Sequence, residues 1–132
     1  MPTNLLTSHT RSIAIAAAPE KVFGLVSDPS ALPSWAPGFA RAIRQDGDHW
    51  VVENDQGEAR IIVRSSADHG TVDILSADNP AQGAYTRVLP NGTGSDYQFT
   101  VQFPPGTPEE AITAQLSVID EELETVRGLS EA

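Results

Sequence analysis

The segment Asp96-Tyr97-Gln98-Phe99-Thr100-Val101-Gln102-Phe103 alternates large apolar residues with polar ones. A period of two is the pattern of a strand with one buried face and one wet face. Just beyond it, Thr107-Pro108-Glu109-Glu110 opens a stretch in which Ile112, Leu116, Ile119, Leu123 and Val126 recur at spacings of 4, 3, 4 and 3, up to Gly128. That is one apolar stripe on a helix, with Thr107 as the expected cap, Pro108 in the first turn and Glu110 completing a capping box. About 20 helical residues reach roughly 30 Å, enough to cross a small sheet. A sheet with one apolar face must cover it, and this helix is the only long apolar cover in the chain.

Upstream, Asp46-Gly47, Gln56-Gly57, His69-Gly70, Asn79-Pro80 and Asn91-Gly92 read as turns. They mark off strands at Ala40–Gln45, His49–Asn54, Glu58–Ala67, Thr71–Ala77, Ala84–Leu89 and Asp96–Phe103, in hairpin succession. Ser8 to Ala16 alternates with Ile13 and Ile15 on one face, which predicts a further strand. Between these, Pro19 and Glu20 suit a helix start, Val22, Phe23 and Val26 share a helical face, and Asp28-Pro29 ends it. A shorter helical turn is expected over Ser30 to Trp35. The predicted fold is α+β: a seven-stranded antiparallel sheet curled around a long C-terminal helix, with two short helices after the first strand. The whole of residues 1–132 reads as one domain, with a loose lead-in at 1–7.

Composition narrows the function. The chain has 132 residues, 39% hydrophobic and 20% charged, which suits a globular core and leaves no apolar run near the ~20 residues of a membrane span. Eight basic residues against 18 acidic ones give a net charge of −10, unfavourable for a nucleic-acid backbone or an anionic membrane surface. With no cysteine, disulfides, thiolate nucleophiles and cysteine-ligated zinc are excluded. The start Met1-Pro2-Thr3-Asn4 lacks the pattern of a secretory signal, so a cytoplasmic location is expected and Asn91-Gly92-Thr93 reads as a turn rather than a glycosylation site. From Glu109 onward there are seven acids and one base, read as the solvated outer face of the helix.

The stretch Ile13-Ala14-Ile15-Ala16-Ala17-Ala18-Pro19-Glu20-Lys21-Val22-Phe23-Gly24-Leu25-Val26-Ser27-Asp28-Pro29, with Leu32-Pro33-Ser34-Trp35-Ala36-Pro37-Gly38-Phe39 after it, resembles the opening of the START/Bet v 1-like (SRPBCC) superfamily. Its members include polyketide cyclase/dehydrase-like proteins, lipid-transfer domains and Hsp90-activator-like domains. The resemblance implies a helix-grip fold over essentially the whole chain, and a ligand cavity between sheet and helix. It implies no particular reaction.

Local catalytic motifs are absent: there is no nucleophile elbow, phosphate loop or paired-histidine zinc motif, and His9, His49 and His69 match no metal-ligand spacing. No metal or organic cofactor is implied. Apolar consistency turns Trp50, Val52, Ile61, Val63, Val72 and Ile74 inward, with Glu53 and Arg60 paired outside. Trp35 is placed at the cavity entrance by the resemblance, as a ligand contact or a plug. The last hairpin leaves two registers open. A three-residue Pro90-Asn91-Gly92 loop, which the turn chemistry favours, sets Tyr85 opposite Tyr97 and turns Tyr85 and Arg87 inward. A two-residue Asn91-Gly92 turn instead turns Ala84, Thr86 and Val88 inward.

The expected ligand-binding residues are Trp35, Val52, Ile61, Val63, Ile74, Tyr85, Arg87, Tyr97, Phe99, Ile112, Leu116 and Ile119. The expected ligand is a small hydrophobic or polyketide-like molecule, bound by a monomer or homodimer. If Arg87 faces the cavity, a cyclase/dehydratase-like mechanism follows, in which Tyr85 or Tyr97 donates a hydrogen bond and Arg87 stabilises enolate charge. With Arg87 on the convex face, a non-catalytic carrier or sensor is the better reading. A protein-interaction module is the third.

Overall fold

The computed structural model describes residues 5–132. The lead-in expected at 1–7 falls largely outside these residues, and Thr7 already opens the first strand. The strands are β1 Thr7–Ile15, β2 Ala42–Asp46, β3 His49–Asn54, β4 Gly57–Ser66, β5 Thr71–Ser76, β6 Gly83–Asn91 and β7 Gly94–Phe103. They form one antiparallel sheet in the order β1-β7-β6-β5-β4-β3-β2. Six are joined as successive hairpins, and β1 closes onto β7 by pairing Ile13 with Tyr97 and Arg11 with Phe99. Between β1 and β2 lie α1 Pro19–Val26, a 3-10 turn at Pro29–Ala31 and α2 Leu32–Trp35. Asp28 caps this 3-10 turn by accepting from the Ser30 amide at 3.0 Å.

The helix α3, Glu109–Glu131, lies against the concave face of the curved sheet, the helix-grip arrangement. Ile112, Leu116, Ile119, Leu123 and Val126 are all buried, as the stripe predicts. They meet Ile15, Val52, Ile61, Val72, Ile74, Val88, Tyr97 and Phe99 from the sheet, with Val22, Val26, Leu32 and Trp35 closing one end. Arg11 of β1 reaches across to Asp120 of α3 at 3.2 Å.

Both ends of α3 differ from expectation. Thr107 donates its hydroxyl to the carbonyl of Pro104 and makes no capping box; Pro108 takes the cap position without a side-chain bond. At the other end the helix runs through Gly128 to Glu131. Tertiary bonds hold that last turn: Glu131 accepts from the Ala16 amide at 2.8 Å, and Lys21 donates to the Ala132 carbonyl at 2.9 Å. These contacts outweigh the local helix-breaking tendency of one glycine, about 1 kcal/mol.

Candidate ligand-binding cavity

The register of β6 against β7 decides which polar groups meet the core. Val88 pairs with Tyr97, Thr86 with Phe99, Ala84 with Val101 and Asn91 with Gly94. The loop is therefore Gly92-Thr93, two residues long. Gly92 has φ of 58° and, among the described residues, no non-glycine residue has positive φ, which fits a type II′ turn. Gly94 is committed elsewhere, because a Cβ there would lie 2.4 Å from the Ile15 carbonyl oxygen on the neighbouring β1. Ser95, which follows it, donates to the Ala17 carbonyl at 2.6 Å.

This register corrects the favoured sequence reading. Ala84, Thr86 and Val88 face inward, while Tyr85 and Arg87 belong to the opposite face, with Tyr85 opposite Asp73 and Arg87 opposite Thr71 and Gln98. Arg87 is exposed beside a separate outer groove near Glu20 and His69. Substituting Arg87 by alanine is thus expected to change binding of an apolar ligand in the core by no more than about twofold, the usual effect of a remote surface change. Titration of wild type and variant with one fluorescent apolar probe checks this.

Between the sheet and α3 lies a partly open cavity of about 300 Å³. Of the residues anticipated, Trp35, Ile61, Ile74, Phe99 and Ile119 border it. Val52, Tyr97, Ile112 and Leu116 are buried in the core around it, and Val63 is partly buried there. Pairing Trp50 with Ile61 and Val63 with Ile74 places the predicted inward set on one face. Arg60 lies on the outer face and bonds Asp46, while Glu53 takes Arg41; the Glu53–Arg60 pair does not form. The Arg60 guanidinium holds the Asp46 carboxyl below the usual carboxylate range.

Trp35 is 1% exposed and packs edge-on against Tyr97, ring centroids 6.4 Å apart; Tyr97 packs edge-on against Phe99 in turn. Neither the Trp35 indole nitrogen nor the Tyr97 hydroxyl has a hydrogen-bond partner among the described residues. Burial pushes the Tyr97 phenol above its ordinary value; the Thr86 side chain opposes the rise and the Glu122 charge adds to it. Thr86 itself donates to the Val72 carbonyl at 2.7 Å.

The group that the sequence reading missed is Glu122. It borders the cavity and is only 9% exposed. Burial, and then the neighbouring Glu121, push its carboxyl up to about 7. Its position was readable: Glu122 stands three residues after Ile119 and four before Val126, on the flank of the apolar stripe. Counting all the acids of this helix as outer-face charge hid it.

Residues 7–131 match the family described as polyketide cyclase/dehydrase and lipid transport. The chain belongs to this family. No curated protein sequence matches it significantly. Among solved structures, this member of the polyketide cyclase/dehydrase and lipid transport family is similar to the protein XoxI from Bacillus cereus, with 17% identity, 94% of this chain and 95% of the other covered, and a TM-score of 0.77. It is also similar to a START superfamily protein from Mycobacterium smegmatis, at 17% identity, 94% and 97% coverage and a TM-score of 0.72. A third is the Aha1 dimer from Colwellia psychrerythraea, at 15% identity, 95% and 96% coverage and a TM-score of 0.74. At these identities the likeness is one of fold. No helix among the described residues is long and apolar enough to cross a membrane.

Proposed function

We propose that this chain works as a single START-like domain that binds a small apolar or aromatic molecule in the cavity between sheet and α3. The observation that carries the reading is the cavity itself. Trp35, Ile61, Ile74, Phe99 and Ile119 give it an apolar wall, and Glu122 supplies one polar group that can orient a ligand. Family membership supports it. The enolate chemistry assigned to Arg87 is not carried forward, because the sheet separates that guanidinium from the cavity. Binding and carriage are therefore favoured over catalysis. With no cysteine, the chain makes no demand for an oxidising compartment, and a cytoplasmic site of action is part of the proposal.

Ala84 borders the cavity from β6 and is the residue to enlarge. Ala84→Leu is expected to weaken binding of an apolar fluorescent probe by about tenfold or more, since added methylene groups take up the space. Circular dichroism should show an unchanged fold. Undiminished binding by the folded variant would place the ligand elsewhere and overturn the reading.

A further inference from the structure

The proposed ligand site contains a carboxyl group that no side chain among the described residues answers. Glu122 is nine-tenths buried and borders the cavity, yet among the described residues its side chain makes no hydrogen bond and no ion pair. The charged groups of the neighbouring elements are engaged elsewhere or repel: on β1 Arg11 pairs with Asp120 and His9 lies against Phe103, and on α1 Lys21 donates to the Ala132 carbonyl. On α3 itself the neighbour is Glu121, which repels. From β7 the titratable group is Tyr97, neutral and fully buried. From β4 the cation bordering the cavity is Arg60, whose guanidinium bonds Asp46 on the outer face. The short helix α2 contributes Leu32 and Trp35, and β5 and the segment after it contribute Ser76 and Gln82, all uncharged.

We propose that the cavity selects an apolar molecule bearing one basic amine, with Glu122 as counter-ion and the rings of Trp35, Phe39 and Phe99 around it. This rests on the reading of the cavity as a ligand site and adds the ligand's charge. An ammonium group supplies what Glu122 lacks: a charge-assisted hydrogen bond within a desolvated pocket. The aromatic rings bordering the same space favour a cation further. A carboxylate-headed molecule, such as a fatty acid, meets Glu122 with like charge. The net charge of −10 acts in the same direction, drawing cations and repelling anions. Proton balance follows: when the ammonium binds a protonated Glu122, the carboxyl proton leaves to solvent and the ligand keeps its own.

The test uses three probes of one shape, phenylbutylamine, phenylbutanol and phenylbutyrate, titrated calorimetrically into the full chain. At about pH 8.5 the alkylamine is still protonated and Glu122 is ionised. The amine is then expected to bind roughly tenfold or more tightly than the alcohol, and the acid most weakly. That advantage should vanish near pH 5.5. At about pH 7, buffers of different ionisation enthalpy should reveal proton release on amine binding. Glu122→Gln should bring the amine down to the level of the alcohol while leaving alcohol binding in place, which also reports an intact cavity. If the alcohol or the acid binds as tightly as the amine at the higher pH, the charge selection is overturned and the ligand site stands. If none of the three binds, the ligand site itself is overturned, and this inference with it.

Discussion

Replacing Glu122 by glutamine is expected to stabilise the unliganded protein above neutral pH by about 3 kcal/mol, with the effect fading to little below about pH 4.5. In the folded chain burial moves this carboxyl from its ordinary 4.5 to about 7. The unfolded chain releases the proton near the lower value, and the folded chain holds it until the higher one. Between the two, the folded state carries more protons, so raising the pH disfavours folding through that whole window. Above about 7 the deficit is constant, and below about 4.5 it is absent. Glutamine imitates the protonated acid in shape and polarity and cannot ionise, so the variant escapes the loss. Urea denaturation of both proteins at several pH values checks this. The informative quantity is the difference between them, because the many surface carboxylates contribute equally to each. A difference that stays flat from pH 5 to 8.5 would show that Glu122 is solvated. A buried group retained at such a cost to stability is the pattern of a functional site, where an unpaired charge waits for its partner.

The fold was legible because its signals are local. Period-two alternation in β7, turn dipeptides between the strands and the stripe on α3 each involve residues close in sequence. Their consequences match the structure: Tyr97 and Phe99 point inward, and Leu116 and Ile119 are buried. The face of β6 was not legible in the same way. Asn91-Gly92-Thr93-Gly94 offers several loops, and each slip of one residue exchanges the two faces. The choice depends on Gly94 passing close to the Ile15 carbonyl of β1, a contact nearly 80 residues away in sequence. The same holds for the end of α3, which is held past Gly128 by Ala16 and Lys21. Glu122 is a different case. Its helical spacing was in plain view, but a carboxylate on the edge of an apolar stripe reads as solvated unless a cavity is known to lie beside it.

Leu116→Ala is expected to destabilise the protein by roughly 2–5 kcal/mol, because it removes a buried side chain from the middle of the stripe that covers the sheet. Leu116 is 6% exposed and does not border the cavity, so the deleted atoms leave a new void among packed neighbours. Ile119, one turn on and 1% exposed, is the informative comparison. It borders the 300 Å³ space yet has almost no accessible surface of its own, so it is packed at least as closely as Leu116. Ile119→Ala should therefore cost a similar amount, roughly 2–5 kcal/mol, but should also alter ligand affinity, which Leu116→Ala should leave nearly unchanged in the folded fraction. Urea midpoints of the two variants, measured with probe titrations below the transition, separate these effects. Unchanged probe affinity in the folded Ile119→Ala variant would mean that the ligand does not reach α3 at Ile119. An unchanged midpoint for Leu116→Ala would contradict the gripping of the helix by the sheet. The contrast follows from one physical point: the helix does two jobs on one face, sealing the core at Leu116 and walling the ligand space at Ile119 and Glu122.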